Sequence, residues 1–173
     1  MSMKHLYVIS GAMGVGKTAV CQQLKPLLAP CAFLDGDWCW NMEPFTVNKE
    51  NRTMVMGHIQ YLLRGFLQNS GYENVIFCWV LHQEGIWRDL LTELSGLSFA
   101  LHPITLTCTP DTLFQRLSAD IDQGRRKRDV LLRSRSYLPL FHGLPTVKIP
   151  TDGRTPQQVA RMILQTPPKD PFP

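Results

Sequence analysis

The stretch His5-Leu6-Tyr7-Val8-Ile9-Ser10-Gly11-Ala12-Met13-Gly14-Val15-Gly16-Lys17-Thr18-Ala19-Val20 decides the fold. Residues 5–9 form a short apolar run that stops at Ser10-Gly11, the pattern of a buried strand. From Lys17 onward Val20, Cys21, Leu24, Leu27 and Leu28 recur at helical spacing. Between strand and helix, Gly11 to Thr18 satisfies G-x-x-x-x-G-K-[ST] at every position. Glycines let the backbone wrap an anion closely and turn successive N–H groups inward at a helix N-terminus, where the helix dipole also favours negative charge. Gly11, Ala12, Met13, Gly14, Val15 and Gly16 are therefore expected to cradle phosphates. Lys17 is expected to reach the β and γ phosphates, and Thr18 to offer a hydroxyl to Mg²⁺. A glycine-rich turn that only joined strand to helix would leave the lysine unexplained. The expected ligand is a nucleotide, with Mg²⁺.

Working outward, Cys31 to Leu34 reads as a second strand, followed at once by Asp35-Gly36-Asp37. Residues 38–48 carry Pro44 and no period, which predicts a loop, and Pro26 predicts that the first helix kinks or stops in its last turn. Met54, Ile59, Leu62, Leu63, Phe66 and Leu67 share a helical face within residues 49–69. Asn74 to Leu81 is an almost unbroken apolar run, the mark of a central strand covered on both faces. A helix using Ile86, Leu90, Leu91 and Leu94 comes next, then a strand over Ile104 to Cys108. Thr109-Pro110 and Thr155-Pro156 are helix starts with an N-cap hydroxyl and proline at N1, and Thr146 to Ile149 is a fifth strand between them. Strands alternating with helices predict a parallel sheet with helices on both faces, because parallel neighbours need crossovers.

The chain has 173 residues, 44% of them apolar and 18% charged, which fits one folded domain over residues 1–166. The tail from Pro167 to Pro173 is expected to be disordered. No apolar run approaches the roughly 18 residues needed to span a bilayer, and residues 1–5 lack a signal peptide's pattern, so a cytoplasmic location is expected. Cys21, Cys31, Cys39, Cys78 and Cys108 have no metal-chelating spacing and read as reduced thiols.

Two classes of nucleotide-binding protein are excluded by the residues downstream of the glycine loop. A regulatory GTPase needs a guanine-reading N-K-x-D, and the near match Asn48-Lys49-Glu50-Asn51 ends in Asn and precedes a helix. A motor or transporter ATPase needs a longer chain and usually an acidic residue closing a strand, whereas Asn74 to Leu81 runs into His82-Gln83.

HLYVISGAMGVGKTAV followed by CAFLDGDW resembles gluconate kinase and adenylylsulfate kinase, and VIFCWVLHQEGIWRDLL resembles gluconate kinase, over about the first 95 residues. Arg116-Leu117, Arg125 to Arg128, Asp129, Arg133, Arg135 and Tyr137 resemble the lid of adenylate-kinase-type enzymes. The resemblance implies a small P-loop kinase: a three-layer P-loop NTPase fold with a five-stranded parallel sheet and a basic helical lid over about residues 116–135. It implies transfer of the γ-phosphate of Mg·ATP to a small-molecule acceptor. Within the lid it points to Arg116 and Arg128 for ATP contact.

Ligands of such a sheet bind beyond the carboxyl ends of its strands, so Asp35 and Asp37 should face Lys17. One carboxylate would orient Mg²⁺, directly or through water, and the other would take the acceptor hydroxyl's proton. Family position favours Asp35 on the metal side and Asp37 as the base; the competing reading is a simple Asp-Gly-Asp turn. Trp38, Trp40 and Phe45 would suit a planar acceptor such as a nucleoside or nucleotide, or else belong to the core. His82 would meet the acceptor or replace the missing acid, or is structural. Residues 116–135 hold seven Lys or Arg against Asp120, Asp122 and Asp129, so this segment carries the chain's whole net charge of +4. A lid closing over phosphates explains that cluster; a solvated helix face and an oligonucleotide contact are the alternatives, and the lack of a recognition motif argues against nucleic acid. Pro150-Thr151-Asp152-Gly153 is either a cover for the adenine ring or an ordinary turn. Other readings for the whole chain are a nucleotide-binding sensor or scaffold without an acceptor, and a kinase of sugar acids or antibiotic-like alcohols.

Overall fold

The computed structural model describes residues 3–169 and 172. Five parallel strands, β1 (Lys4–Gly11), β2 (Cys31–Asp35), β3 (Asn74–Cys78), β4 (Phe99–Thr107) and β5 (Val147–Pro150), form one sheet in the order β2-β3-β1-β4-β5. Six helices connect them: α1 (Lys17–Leu27), α2 (Lys49–Gln68), α3 (Glu84–Thr92), α4 (Pro110–Asp122), α5 (Asp129–Tyr137) and α6 (Pro156–Leu164). From β1 the chain moves two places to reach β2 and then reverses to β3. Right-handed crossovers therefore put α1 and α2 on opposite faces. α1 packs against α6, α2 against α3, and α4 against α5. This is the P-loop NTPase fold expected from the sequence.

Leu6, Val8 and Ile9 of β1 and Val75, Ile76 and Phe77 of β3 have no exposed surface, as the unbroken apolar runs require. β1 lies between β3 and β4, so the order in which the chain adds strands reverses beside it and a crevice opens beyond its carboxyl end, where Gly11 starts the phosphate loop.

Three boundaries differ from the sequence reading. β3 stops at Cys78 rather than Leu81, because its partners turn away there: Ile9 pairs with Cys78 just before the glycine loop, and Asp35 pairs with Cys78 just before a 3₁₀ turn. That turn, Gly36–Trp40, occupies part of the stretch expected to be loop, and Asp35 caps it by accepting from the Asp37 N–H at 3.0 Å. β4 begins at Phe99, five residues early. Pro103 hides this extension in the sequence, but β5 pairs only from Ile104 onward, so one edge of β4 carries no strand at Pro103. Pro26 lies in the last turn of α1, which ends one residue later.

The described part of the tail makes contacts with the rest of the chain. Lys169 N–H donates to Leu101 O at 2.8 Å, and the Phe172 ring stacks on buried Trp87 at 5.2 Å. Residues 170, 171 and 173 lie outside the described residues. No described helix is long and apolar enough to cross a membrane.

At the amino end of the sheet, His102 is 5% exposed, stacks on Tyr7 at 4.2 Å and lies 3.0 Å from His5 through its Nε2 and His5 Nδ1. Burial, then the neighbouring His5, lowers the His102 pKa to about 4, against 6.5 for a free histidine. The unfolded chain therefore binds the extra proton first. Stability is present above pH 6.5 and declines as pH falls toward 4, by about 2–3 kcal/mol. Denaturant unfolding of the native protein and His102→Gln across pH 4–7 should show this slope in the native protein and its loss in the variant.

Candidate active site

Lys17 opens α1, and Gly16 before it caps the helix in the left-handed region at φ 104°. The Lys17 ammonium donates to Gly11 O at 2.8 Å and Ala12 O at 3.0 Å, folded over the loop whose anion it is expected to meet. Burial lowers its pKa, opposed by Asp37 and Asp35. At Gly14 the backbone is left-handed (φ 84°), and a Cβ would lie 2.6 Å from Leu117 Cδ2. The loop is thus pressed directly against α4. Two further carbonyls of the loop are held from outside it: Ser134 of α5 donates to Met13 O at 3.3 Å, and Arg116 of α4 to Val15 O at 3.0 Å.

Asp35 closes β2 and is buried. Its Oδ2 accepts from the Thr18 hydroxyl at 2.9 Å and its Oδ1 from the Asp37 N–H at 3.0 Å. The structure therefore joins the Asp35 carboxylate and the Asp37 backbone to Thr18 at the end of the glycine loop by an unbroken hydrogen-bonded path. Asp37 is solvent-exposed as a residue, yet its pKa is raised, first by burial of the carboxyl and then by Asp35; Lys17, Arg126 and a Trp79 hydrogen bond oppose the rise.

Trp79 is a neighbour that the sequence reading absorbed into a strand. A Cβ on Gly36 would lie 2.5 Å from Trp79 Cγ, so the indole occupies the space that any larger residue between the two aspartates would need. Gly36→Ala should destabilise the protein by about 1–3 kcal/mol through overpacking. Trp79→Ala in the same chain should restore much of that loss, as thermal unfolding of the two single variants and the double variant would show.

The aromatic residues after Asp37 divide. Trp38 is exposed, edge-on to Phe33 at 5.3 Å, whereas Trp40 is half-buried and tilted against Phe45 at 5.9 Å. His82 stacks on Tyr137 of α5 at 4.2 Å with the rings 7° apart, and burial lowers its pKa. It thus links the segment after β3 to α5.

The basic segment is α4, a turn at Gly124 (φ 70°) and α5. Arg126 Nε is 3.1 Å from Asp120 Oδ2, Arg125 Nη1 is 3.7 Å from Asp120 Oδ1, and Arg133 pairs with Asp129 at 3.1 Å. Arg128 stands at the start of α5 and makes no side-chain hydrogen bond or ion pair among the described residues. Arg126, not singled out from its run of four cations, is the one whose field lowers the pKa of both Lys17 and Asp37. Arg116, expected at the nucleotide, also donates to Thr151 Oγ1 at 2.9 Å and to Thr151 O at 3.1 Å, so it ties the glycine loop to the turn after β5. In that turn Asp152 Oδ1 accepts from the Thr109 N–H and hydroxyl, both at 2.9 Å. Against burial, which raises it, a Thr112 side-chain hydrogen bond and then those from Thr109 hold its carboxyl at about 2.

The AAA domain family matches residues 8–135, from β1 through most of α5. Over the whole fold the chain is similar to a gluconokinase from Sinorhizobium meliloti 1021, with TM-score 0.68, 17% identity and coverage of 95% of this chain and 91% of that one. It is similar to a tunicamycin resistance protein from Deinococcus radiodurans, with TM-score 0.67, 21% identity and coverage of 96% and 99%. It is also similar to shikimate kinase from Acinetobacter baumannii, with TM-score 0.62, 20% identity and coverage of 95% and 92%. These likenesses establish a shared fold. No curated protein sequence matches the chain.

Proposed function

The chain belongs to the AAA domain family, and from that premise we propose that it is an ATP-dependent phosphotransferase moving the γ-phosphate of Mg·ATP to a small-molecule hydroxyl or phosphate. The observation that carries this reading is the path Thr18 hydroxyl–Asp35 carboxylate–Asp37 N–H beside Lys17. It brings a phosphate-binding cation, a metal-compatible oxygen pair and a second carboxylate to one strand end.

The residues divide the chemistry among them. Backbone N–H groups of residues 11–16 and the Lys17 ammonium bind the phosphates. Thr18 and Asp35 are hard oxygen donors already in contact, which fits Mg²⁺, with Asp35 acting directly or through water. Held there with ATP, Mg²⁺ would supply charge neutralisation at the phosphates. Asp37, its pKa raised toward the working range, takes the proton from the attacking acceptor hydroxyl. Lid arginines meet the charge on the transferring group, with Arg116 and Arg128 contacting ATP.

A nucleoside or nucleotide is the first choice of acceptor. Residues 38–47 contain no Lys or Arg to receive a sugar acid, while Trp38 and Phe45 expose their rings. An antibiotic-like alcohol is the next class, and the likeness in fold to a tunicamycin resistance protein supports including it in the same screen. The test is ATP consumption across nucleosides, nucleotides, sugar acids and aminoglycoside-like alcohols. Stimulation by a nucleoside-type compound is expected. If ATP binds but no compound stimulates turnover, the phosphotransferase reading fails and a nucleotide sensor takes its place.

A further inference from the structure

The turn between α4 and α5 joins two helices that are both anchored on the glycine loop. Leu117 of α4 fills the space at Gly14, and Ser134 of α5 donates to Met13 O. Residues 125–128 therefore sit between two fixed points. Within them Arg126 has a distinctive arrangement. Its Nε is engaged by Asp120 Oδ2 at 3.1 Å, and its two terminal nitrogens make no hydrogen bond among the described residues. The side chain is 37% exposed and that of Asp120 26%. Asp120 uses its other oxygen on Arg125 and accepts the Arg125 N–H at its backbone carbonyl, at 2.8 Å.

An arginine fixed at Nε keeps the Nη1 and Nη2 fork free for two parallel hydrogen bonds to a phosphate, the geometry that distinguishes arginine from lysine. We infer that Asp120 is a positioning residue that holds the Arg126 fork for the phosphates of the bound nucleotide. This rests on the nucleotide site described above. Asp120 and the phosphates do not compete, because they use different nitrogens of the same guanidinium. The field of Arg126 at Lys17 and Asp37 agrees with that placement.

Inorganic tripolyphosphate, titrated calorimetrically into the native protein, Asp120→Asn, Arg126→Ala and the double variant, tests this without knowledge of the acceptor. Removing the Asp120 charge by itself favours an anion in every background. Loss of positioning acts only where Arg126 is present. The change in Kd caused by Asp120→Asn should therefore be about fivefold less favourable in the native background than in Arg126→Ala, a coupling of the size found between groups in direct contact. A ratio of one means that Asp120 acts as a distant charge, and a ratio below one means that it blocks Arg126; either overturns the inference. Arg126→Lys, which keeps the charge but lacks the fork, should bind more weakly than the native protein. Lys17→Ala separates the two readings: if it binds tripolyphosphate as the native protein does, the glycine-loop site itself is wrong.

Discussion

Asp37→Asn lowers acceptor-dependent phosphoryl transfer by about 10²–10⁴-fold, the contribution of a positioned general base, and leaves nucleotide binding in place. Asparagine has nearly the same shape, and its backbone N–H still donates to Asp35 Oδ1, so the 3₁₀ turn and the contact of Gly36 with Trp79 survive. What disappears is the lone pair able to take the acceptor's proton. The loss should fall on turnover rather than on the KM for ATP, because Asp37 meets the acceptor and not the nucleotide. Single-turnover kinetics with the stimulating acceptor, beside a nucleotide titration, measures both. Turnover within about threefold of native would show that proton transfer does not pass through Asp37.

Lys17→Ala abolishes turnover, by about 10²–10³-fold or more in kcat, the range for removing one preorganised donor from a developing charge, and weakens triphosphate binding as well. The ammonium rests on Gly11 O and Ala12 O. Those carbonyls belong to the loop, so a phosphate that draws Lys17 away from them exchanges neutral acceptors for charged ones and strengthens each hydrogen bond. Alanine leaves the helix start intact, because Gly16 supplies the cap. Calorimetric titration with ATP and with ADP should show the larger loss for ATP. Equal losses for the two nucleotides would place Lys17 short of the γ-phosphate.

The glycine loop and the strand and helix around it were legible in the sequence because their constraints are local. A close anion cradle needs glycine, a buried strand needs an unbroken apolar run, and a helix needs its spacing. The positions of Asp35 and Asp37 after β2 come from the same run-and-turn logic. Less was legible where a residue's role depends on a distant neighbour. Trp79 reads as one more apolar residue in Asn74 to Leu81, and only its contact with Gly36 separates it from the strand. Arg126 looks like Arg125 and Arg128 in a basic run. The early start of β4 is masked by Pro103, which is tolerated only because β5 pairs from the next residue onward.

By itself the sequence determined a phosphate-binding loop between a buried strand and a helix, an alternating α/β chain, two carboxylates after the second strand, and a net charge confined to residues 116–135. The tertiary structure decided the rest. It joined Asp35 to Thr18, anchored α4 and α5 on the glycine loop, engaged Arg116 at Thr151 and paired Arg126 with Asp120. The division has one physical cause. Backbone geometry and hydrophobic periodicity act over a few residues and are written in order along the chain. Hydrogen bonds, ion pairs and steric contacts form between residues more than a hundred positions apart, as in Ser134 with Met13 at 121 and Arg116 with Val15 at 101, and exist only once the sheet has brought its strand ends together.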